Sequence, residues 1–255
     1  MICAGIDIGS ITSKAVIMKD KNIIGSSVIF TGYNAQRAGE DVFYDSLYNN
    51  QLKKDDIDVI ISTGYGRNSI AFADKTQTEI LCHGAGAHYF MPEVRSIIDI
   101  GGQDSKVILL DDKGKVVDFS MNDKCAAGTG RFLEVMARAL EEDLDSISEY
   151  ALDTIEPAKI SSVCTVFAES EVISLISKGD DKKDIIAGIN NSVAARIASQ
   201  ARRIGIREPL VMTGGVAKNK GVVKALEDAL NIHITTFESA QINGAAGAAL
   251  LGFNS

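Results

Sequence analysis

The segment Ile6-Asp7-Ile8-Gly9-Ser10-Ile11-Thr12-Ser13-Lys14 returns 92 residues further on as Ile98-Asp99-Ile100-Gly101-Gly102-Gln103-Asp104-Ser105-Lys106. Between residues 6–21 and 98–113, eight of sixteen positions are identical, and four of the other eight are apolar exchanges such as Val16 for Ile108. Repetition at a fixed offset marks a duplicated structural unit. The repeated feature is also chemical. An apolar strand ends in Asp, a Gly permits a tight turn, and a small polar run brings backbone N–H groups close to a ligand. Two such turns would form a clamp for phosphates, with Asp7 and Asp99 placed to hold a hydrated metal ion.

The remaining pattern is that of an α/β protein. Residues 2–8 read as a strand, and 14–19 with 23–30 as a hairpin closed by Asp20-Lys21-Asn22, with Asn22 suited to a left-handed turn. A helix over 36–52, a buried strand over 58–62 ending in the Gly-rich turn Thr63-Gly64-Tyr65-Gly66-Arg67-Asn68, and a helix over 76–90 complete the first unit. The second begins with strands 94–100, 105–110 and 115–120. Helices follow over 129–140, 144–152, 168–177 and 183–204, then strand 210–213, helix 217–230, strand 232–236 and helix 241–252. Two similar lobes are expected, 1–93 and 94–255, with the closing helix 241–255 a candidate to pack back on the first lobe. A cleft between lobes is where a ligand would bind.

Composition narrows the function classes. The 34 acidic and 26 basic side chains give a net charge of -8, which argues against a nucleic-acid or anionic-membrane binder. No apolar run approaches the roughly 20 residues of a membrane span, and Met1 leads directly into a strand that the repeat requires, so no signal peptide is expected. Four widely spaced cysteines, Cys3, Cys82, Cys125 and Cys164, lack the density of a secreted disulfide scaffold. A cytoplasmic protein is expected. Cys3 in a strand and Cys82 in a helix read as core residues, and His83, His88 and His233 are too scattered for a metal site.

A single Asp-x-Gly turn would be an ordinary hairpin. Two in register, each with a Lys at the same later position, point to phosphate binding. A third element is Val211-Met212-Thr213-Gly214-Gly215-Val216-Ala217-Lys218-Asn219, a strand, a Gly-Gly turn and a helix start where backbone can approach a base or phosphate. There is no G-x-x-x-x-G-K-[ST] run, and neither Gly84-Ala85-Gly86 nor Gly128-Thr129-Gly130 completes a dinucleotide fingerprint.

This order of three elements resembles the actin, sugar-kinase and heat-shock chaperone ATPase superfamily. The resemblance implies two ribonuclease-H-like lobes that close on Mg-ATP or Mg-ADP. On it, Asp7 and Asp99 would hold Mg2+ through water. Ser10, Thr12 and Lys14 would meet the β- and γ-phosphates, within a nucleotide-binding run that includes Gly9, Ile11 and Ser13. Gly101, Gly102 and Gln103 would meet the γ-phosphate, with Gln103 or Asp104 orienting the attacking water. Gly214, Gly215, Val216 and Asn219 would flank the adenosine.

Cys125 lies in NDKCAAGTGRF (122–132) and Cys164 in CTVFAESEVIS (164–174), each a few residues before a predicted helix. A helix N-terminus favours a thiolate, and the small residues Ala126, Ala127 and Gly128 leave space beside the sulfur. On spacing alone, two buried structural cysteines would be the simpler reading, because 39 residues separate them and no Cys-x-x-Cys pattern is present. Two thiolates cannot complete an iron–sulfur shell, whereas a two-fold dimer would supply four.

These two strings, with TGYGRN, CHGAGA, DIGGQDSKV and the closing GAAGAALLG, resemble the ATP-dependent activators of 2-hydroxyacyl-CoA dehydratases and the related ATPase subunits of benzoyl-CoA reductases. The resemblance spans nearly the whole chain and departs most at 31–50. It implies a homodimer with one [4Fe–4S] cluster held by Cys125 and Cys164 of each chain. It also implies reduction by a ferredoxin or flavodoxin and delivery of a low-potential electron to a partner dehydratase or reductase. The competing class is a small-molecule kinase of the same fold, with Asp99 or Asp104 as general base. A cluster-free regulatory ATPase is a third.

Overall fold

The structure, a computed structural model, describes residues 1–150, 154, 156–161 and 164–254. The chain divides into two compact units. One comprises Met1–Arg95, Leu110–Asp118 and Phe237–Ser255, the other Ser96–Leu109 and Phe119–Thr236.

The first unit is built on a sheet of β1 (Ile2–Ile8), β2 (Thr12–Lys19), β3 (Asn22–Phe30), β4 (Val59–Thr63) and β5 (Lys75–Thr76), in the order β3-β2-β1-β4-β5. β1 and β3 flank β2 antiparallel, and β4 runs parallel to β1. Both faces are covered, which is why β1, apart from Asp7, and the run Ala15–Met18 of β2 are apolar rather than alternating. Ala4, Ile6, Ile8, Ala15 and Ile17 pack under helix α1 (Ala35–Asn49) with Val42, Phe43 and Leu47. Val16 and Met18 point the other way, against Ala245, Ala246 and Ala249 of α8 (Asn243–Gly252). Helix α2 (Glu79–Phe90) lies alongside α8, and Cys82 joins Ile61 and Ala248 in a small core. By the period of two, Asp7 belongs to the α8 face of β1.

Two local expectations change here. The left-handed residues of the β2–β3 turn are Asp20 (φ 50°) and Lys21 (φ 65°), not Asn22. A two-residue hairpin takes positive φ at both central positions, so Asn22 begins β3 and its Nδ2 donates to Asp20 O at 3.2 Å. The helix expected from residue 76 begins at Glu79, capped by the Thr78 hydroxyl, because Lys75–Thr76 pair with β4 as a short parallel strand.

A second sheet repeats the plan with β6 (Ser96–Ile100), β7 (Ser105–Leu110), β8 (Val116–Asn122), β9 (Leu210–Thr213) and β10 (Ile234–Thr235), in the order β10-β9-β6-β7-β8. Asp99 pairs in register with Lys106 as Asp7 does with Lys14, and with Thr213 on the parallel strand as Asp7 does with Thr63. The duplication therefore reaches a third strand.

Around this sheet lie α3 (Gly130–Ala139), α4 (Leu144–Tyr150), α5 (Thr165–Lys178), α6 (Lys182–Ile204) and α7 (Lys220–Leu230). Residues 151 and 152, the end of the helix read over 144–152, are outside the described residues. Helix α5 starts three residues earlier than its apolar pattern, with Cys164 as N-cap. The helix expected over 217–230 splits into a 3-10 turn, Gly215–Lys218, and α7, because Asn219 Oδ1 accepts from Val222 N–H at 3.0 Å and starts a new helix. Among the described residues no helix is long and apolar enough to cross a membrane.

Candidate functional site

Each copy of the repeat carries a buried carboxylate at the end of its first strand and a lysine opposite it on the second. Lys14 Nζ stands 3.4 Å from Asp7 Oδ2, and Lys106 Nζ 3.2 Å from Asp99 Oδ2. The second pair is the more deeply buried, its side chains 2% and 3% exposed. Burying a charge is costly unless it is paired and hydrogen-bonded, and Asp99 meets both conditions. Thr213 Oγ1 donates to its Oδ1 at 2.7 Å, while Lys106 also reaches Asp104 Oδ2 at 2.8 Å.

The turns between the paired strands close alike. Gly9 N–H donates to Thr12 O at 3.1 Å, and Gly101 N–H to Asp104 O at 2.9 Å. In the first copy Thr31 Oγ1 donates to Gly9 O at 2.8 Å, which leaves the buried Ser13 hydroxyl to donate to Thr31 at 2.9 Å. Ser13 thus stabilises the turn from within, while Gly9, Ser10, Ile11 and Thr12 are partly exposed along its outer edge. In the second copy Gln103 is exposed at the tip, and Asp104 is tethered by Lys106.

A further part of the duplication escapes the residue-by-residue comparison. β4 and β9 both end in Thr-Gly, and Gly64 and Gly214 take φ of 85° and 86°. Both positions are also crowded by the carboxylate strand. A Cβ at Gly64 would stand 2.4 Å from Asp7 Oδ1, and one at Gly214 would stand 2.3 Å from Ile100 O and 3.1 Å from Asp99 Oδ1. Only glycine satisfies both the dihedral and the approach. The sequence signal was the Thr-Gly that closes each apolar run, DVIISTG and PLVMTGG.

Gly215 has open space beside it, since a Cβ there would meet no atom within 4 Å. Its neighbour Val216 is buried, and the Asn219 side chain is engaged in capping α7. Within this unit the structure therefore gathers Asp99, Gly101, Gly102, Gly214 and Val216. Oxygen ligands of this kind suit a hard, water-retaining cation such as Mg2+. Among the described residues no group of three or more His, Cys, Asp or Glu side chains converges on a metal position.

Cys125 sits in a tight loop between β8 and α3. The Asn122 side chain folds the loop, its Nδ2 donating to Cys125 O at 2.8 Å and Ala127 O at 3.2 Å, while its Oδ1 accepts from Cys125 N–H at 3.3 Å. The loop then meets the turn between β6 and β7 directly. Gly130 N–H donates to Gly101 O at 2.9 Å and Arg131 N–H to Gly102 O at 2.7 Å. Cys164 is exposed at the N-cap of α5, and Glu171, further along that helix, accepts from Ser161 N–H at 3.1 Å and Ser161 Oγ–H at 2.9 Å.

The two remaining cysteines differ in kind. Cys3 and Cys82 are buried, and burial pushes their thiols up to about 11 and about 12. Cys125 is partly exposed and Cys164 exposed, and each is a soft donor of the kind that iron–sulfur clusters take, two per chain against the four that a cluster needs. Helix α5 continues from Cys164 with an apolar surface that includes Val166 (66% exposed), Phe167 (67%), Ile173 and Ile176.

Known proteins resemble this chain over nearly its whole length. Residues 4–252 match the BadF/BadG/BcrA/BcrD ATPase family. The (R)-2-hydroxyglutaryl-CoA dehydratase activating ATPase of Acidaminococcus fermentans is 50% identical over 251 residues, 98% of this chain and 96% of the relative. A crystal structure of component A of that organism's (R)-2-hydroxyglutaryl-CoA dehydratase superposes with a TM-score of 0.96 at 49% identity, covering 100% of this chain and 98% of the other. The activator of the 2-hydroxyisocaproyl-CoA dehydratase from Clostridium difficile, solved with bound ADPNP, superposes with a TM-score of 0.95 at 45% identity, covering 100% and 95%. A glucokinase of the ROK family from Streptomyces griseus, at 12% identity and a TM-score of 0.62 over the full length of both chains, shares the fold alone. The architecture is the two-lobe α/β plan of actin-like ATPases and sugar kinases.

Proposed function

The chain belongs to the BadF/BadG/BcrA/BcrD ATPase family, and on that premise we propose that it is a cytoplasmic ATP-hydrolysing activator. It would deliver a low-potential electron to a partner 2-hydroxyacyl-CoA dehydratase or related reductase. The observation that carries the proposal is the pair of backbone hydrogen bonds from Gly130 and Arg131 to Gly101 and Gly102. A turn suited to a γ-phosphate and a loop that presents a thiol are thereby one hydrogen-bonded piece of structure.

In this scheme Asp7 and Asp99 orient a hydrated Mg2+, which neutralises charge on the β- and γ-phosphates. Ser10, Thr12 and Lys14 on one turn, and Gly101, Gly102 and Gln103 on the other, bind the phosphates, with Gly9, Ile11 and Ser13 shaping the first turn. Gln103 orients the attacking water. Gly214, Gly215 and Val216 flank the adenosine, with the open side of Gly215 leaving room for the base. Asn219 contributes by fixing the start of α7.

Cys125 and Cys164, with their counterparts in a second copy of the chain, supply four thiolates, and a [4Fe–4S] cluster bound there provides one-electron chemistry. The exposed apolar residues on α5 beside Cys164 suit burial between two copies. One electron enters from a ferredoxin or flavodoxin and one leaves to the partner enzyme. For ATP to drive the exchange, the two conformations of the Gly101–Gly102 turn and the Cys125 loop must bind nucleotide with different affinity.

The kinase alternative would assign a base to Asp99 or Asp104. Both carboxylates are held by Lys106, at 3.2 and 2.8 Å, and no observation favours that reading.

The test is purification without oxygen, with iron, sulfide and particle mass measured together. About four irons per dimer are expected, the content of one four-thiolate cluster, and Cys125→Ser or Cys164→Ser should abolish iron while leaving a folded, nucleotide-binding protein. Full iron in either variant removes that cysteine from the ligand set. A colourless protein that binds ATP after anaerobic reconstitution overturns the electron-transfer role.

A further inference from the structure

Helices α2 and α8 are in unusually close contact, and the contact brings together two polar side chains 160 residues apart. A Cβ at Gly247 would stand 1.8 Å from Cys82 O, and one at Gly86 would stand 2.2 Å from Asn243 O. Glycine alone permits such backbone proximity, and it seats the first turn of α8 against His83. Asn243, fully buried, then uses its amide nitrogen twice. Nδ2 lies 3.0 Å from the His83 carbonyl oxygen and 3.2 Å from His83 Nδ1.

A carbonyl oxygen only accepts, so the atom facing it is the NH2 group and the amide orientation is fixed. Nδ1 therefore receives an N–H and must be the accepting nitrogen of the ring. In the neutral imidazole the proton is then on Nε2. That edge of the ring points toward the end of β1. A Cβ built on Gly244 would stand 3.1 Å from His83 Nε2 and 3.0 Å from Asp7 Oδ2. The two atoms thus lie no more than about 6 Å apart, a gap that a single bridging water can span.

The geometry points to His83 as a positioning residue for Asp7. Its Nε2–H, set by Asn243, faces the same Asp7 Oδ2 that Lys14 approaches at 3.4 Å, and so helps to orient the carboxylate for a hydrated Mg2+. This rests on the reading of Asp7 as part of a Mg-nucleotide site. His83 and Asn243 add a layer to that site which neither repeat motif contains. The second unit arranges its equivalent carboxylate differently, with the Thr213 hydroxyl donating to Asp99.

The test is calorimetric binding of ADP to the anaerobically purified full chain, once with Mg2+ and once with a chelator. His83→Leu should lower the affinity gained from Mg2+ by about tenfold or more, as outer-layer partners of metal sites do, and leave the Mg-free affinity unchanged. His83→Gln, whose amide nitrogen falls near the Nε2 position and donates, should restore most of the gain. An unchanged Mg2+ gain in His83→Leu overturns the proposal, and so does an equal loss in both variants, which would make the ring a matter of shape. A wild-type protein that binds ADP in neither condition overturns the nucleotide site itself. Nitrogen-15 shifts of the three histidines put the question to the unmutated chain. A proton on Nε2 and none on Nδ1 is expected for His83, and a proton on Nδ1 overturns the assignment.

Discussion

Thr213 Oγ1 donates to Asp99 Oδ1 at 2.7 Å across the parallel pair β6–β9, inside a site where Asp99 also meets Lys106. Both residues are buried, so water cannot replace the bond if it is lost. Thr213→Val keeps the shape and removes the donor. A hydrogen bond to a charged group contributes about 1.5–3 kcal/mol, and a loss of that size is expected in the urea denaturation of the variant. An unshifted midpoint would show that Asp99 relies on Lys106 alone.

Cys82 should make the protein sensitive to alkali. Burial raises its thiol from the ordinary 9.0 to about 12, with smaller effects from Asp7 and Glu79 in the same direction. Between those values the folded chain retains a proton that the unfolded chain releases. Stability from this group is intact below about pH 9 and declines as pH rises toward about 12, by roughly 1.4 kcal/mol per pH unit. Denaturation midpoints measured across that range should fall less steeply in Cys82→Ala, whatever the variant's starting stability. Parallel slopes in the two proteins would place the alkaline loss elsewhere.

The α2–α8 contact should not tolerate a side chain. Gly247→Ala would set a methyl group 1.8 Å from the backbone oxygen of Cys82, and neither helix backbone can yield without separating the pair. Overpacking of a close contact costs about 1–3 kcal/mol and sometimes more. A drop in thermal midpoint is expected, together with faster labelling of Cys82 by a thiol reagent. Gly215→Ala, where nothing lies within 4 Å, is the comparison that should leave stability unchanged. Equal midpoints for both variants would refute the close packing.

Much of this architecture was legible in the chain because duplication makes a motif testable against itself. Asp7 and Asp99 recur with Lys14 and Lys106, and the same cross-strand pairings appear in both sheets. The Thr-Gly pair at 63–64 and 213–214 was harder to recognise. Its surroundings have diverged, and its role depends on a positive φ and on proximity to a strand distant in sequence. The His83–Asn243 contact has no sequence period at all, since it arises only when two glycine-bearing helices meet. Asn22 and Asn219 illustrate the limits of propensity. The first lost its turn to Asp20-Lys21, and the second interrupted an apolar helical pattern by capping it. Cys125 and Cys164 were singled out by their strings, while the loop geometry around Asn122 and the bond from Arg131 to Gly102 required the fold.

Those bonds from the start of α3 allow a direct test of coupling between phosphate and thiol. Gly130 is the first residue of α3, and the preceding Thr129 is extended at φ -133° and ψ 169°, a conformation compatible with a following proline. Gly130→Pro is compatible with the helix backbone, but it replaces the N–H that donates to Gly101 O with a ring carbon pressed against that oxygen, so the α3 start and the Gly101 turn must part. Gly130→Ala adds a Cβ 3.1 Å from that oxygen but keeps the donor and the contact, and so controls for the added Cβ. The readout is the rate at which a chelator removes iron from the reduced protein, with and without ATP. If the backbone bond transmits nucleotide state to the Cys125 loop, ATP should change that rate in the wild type and in Gly130→Ala. In Gly130→Pro the change should be reduced severalfold, with iron content and ATP binding retained. A full ATP response in Gly130→Pro would mean that the Gly101 carbonyl is a bystander and that coupling runs through another part of the chain.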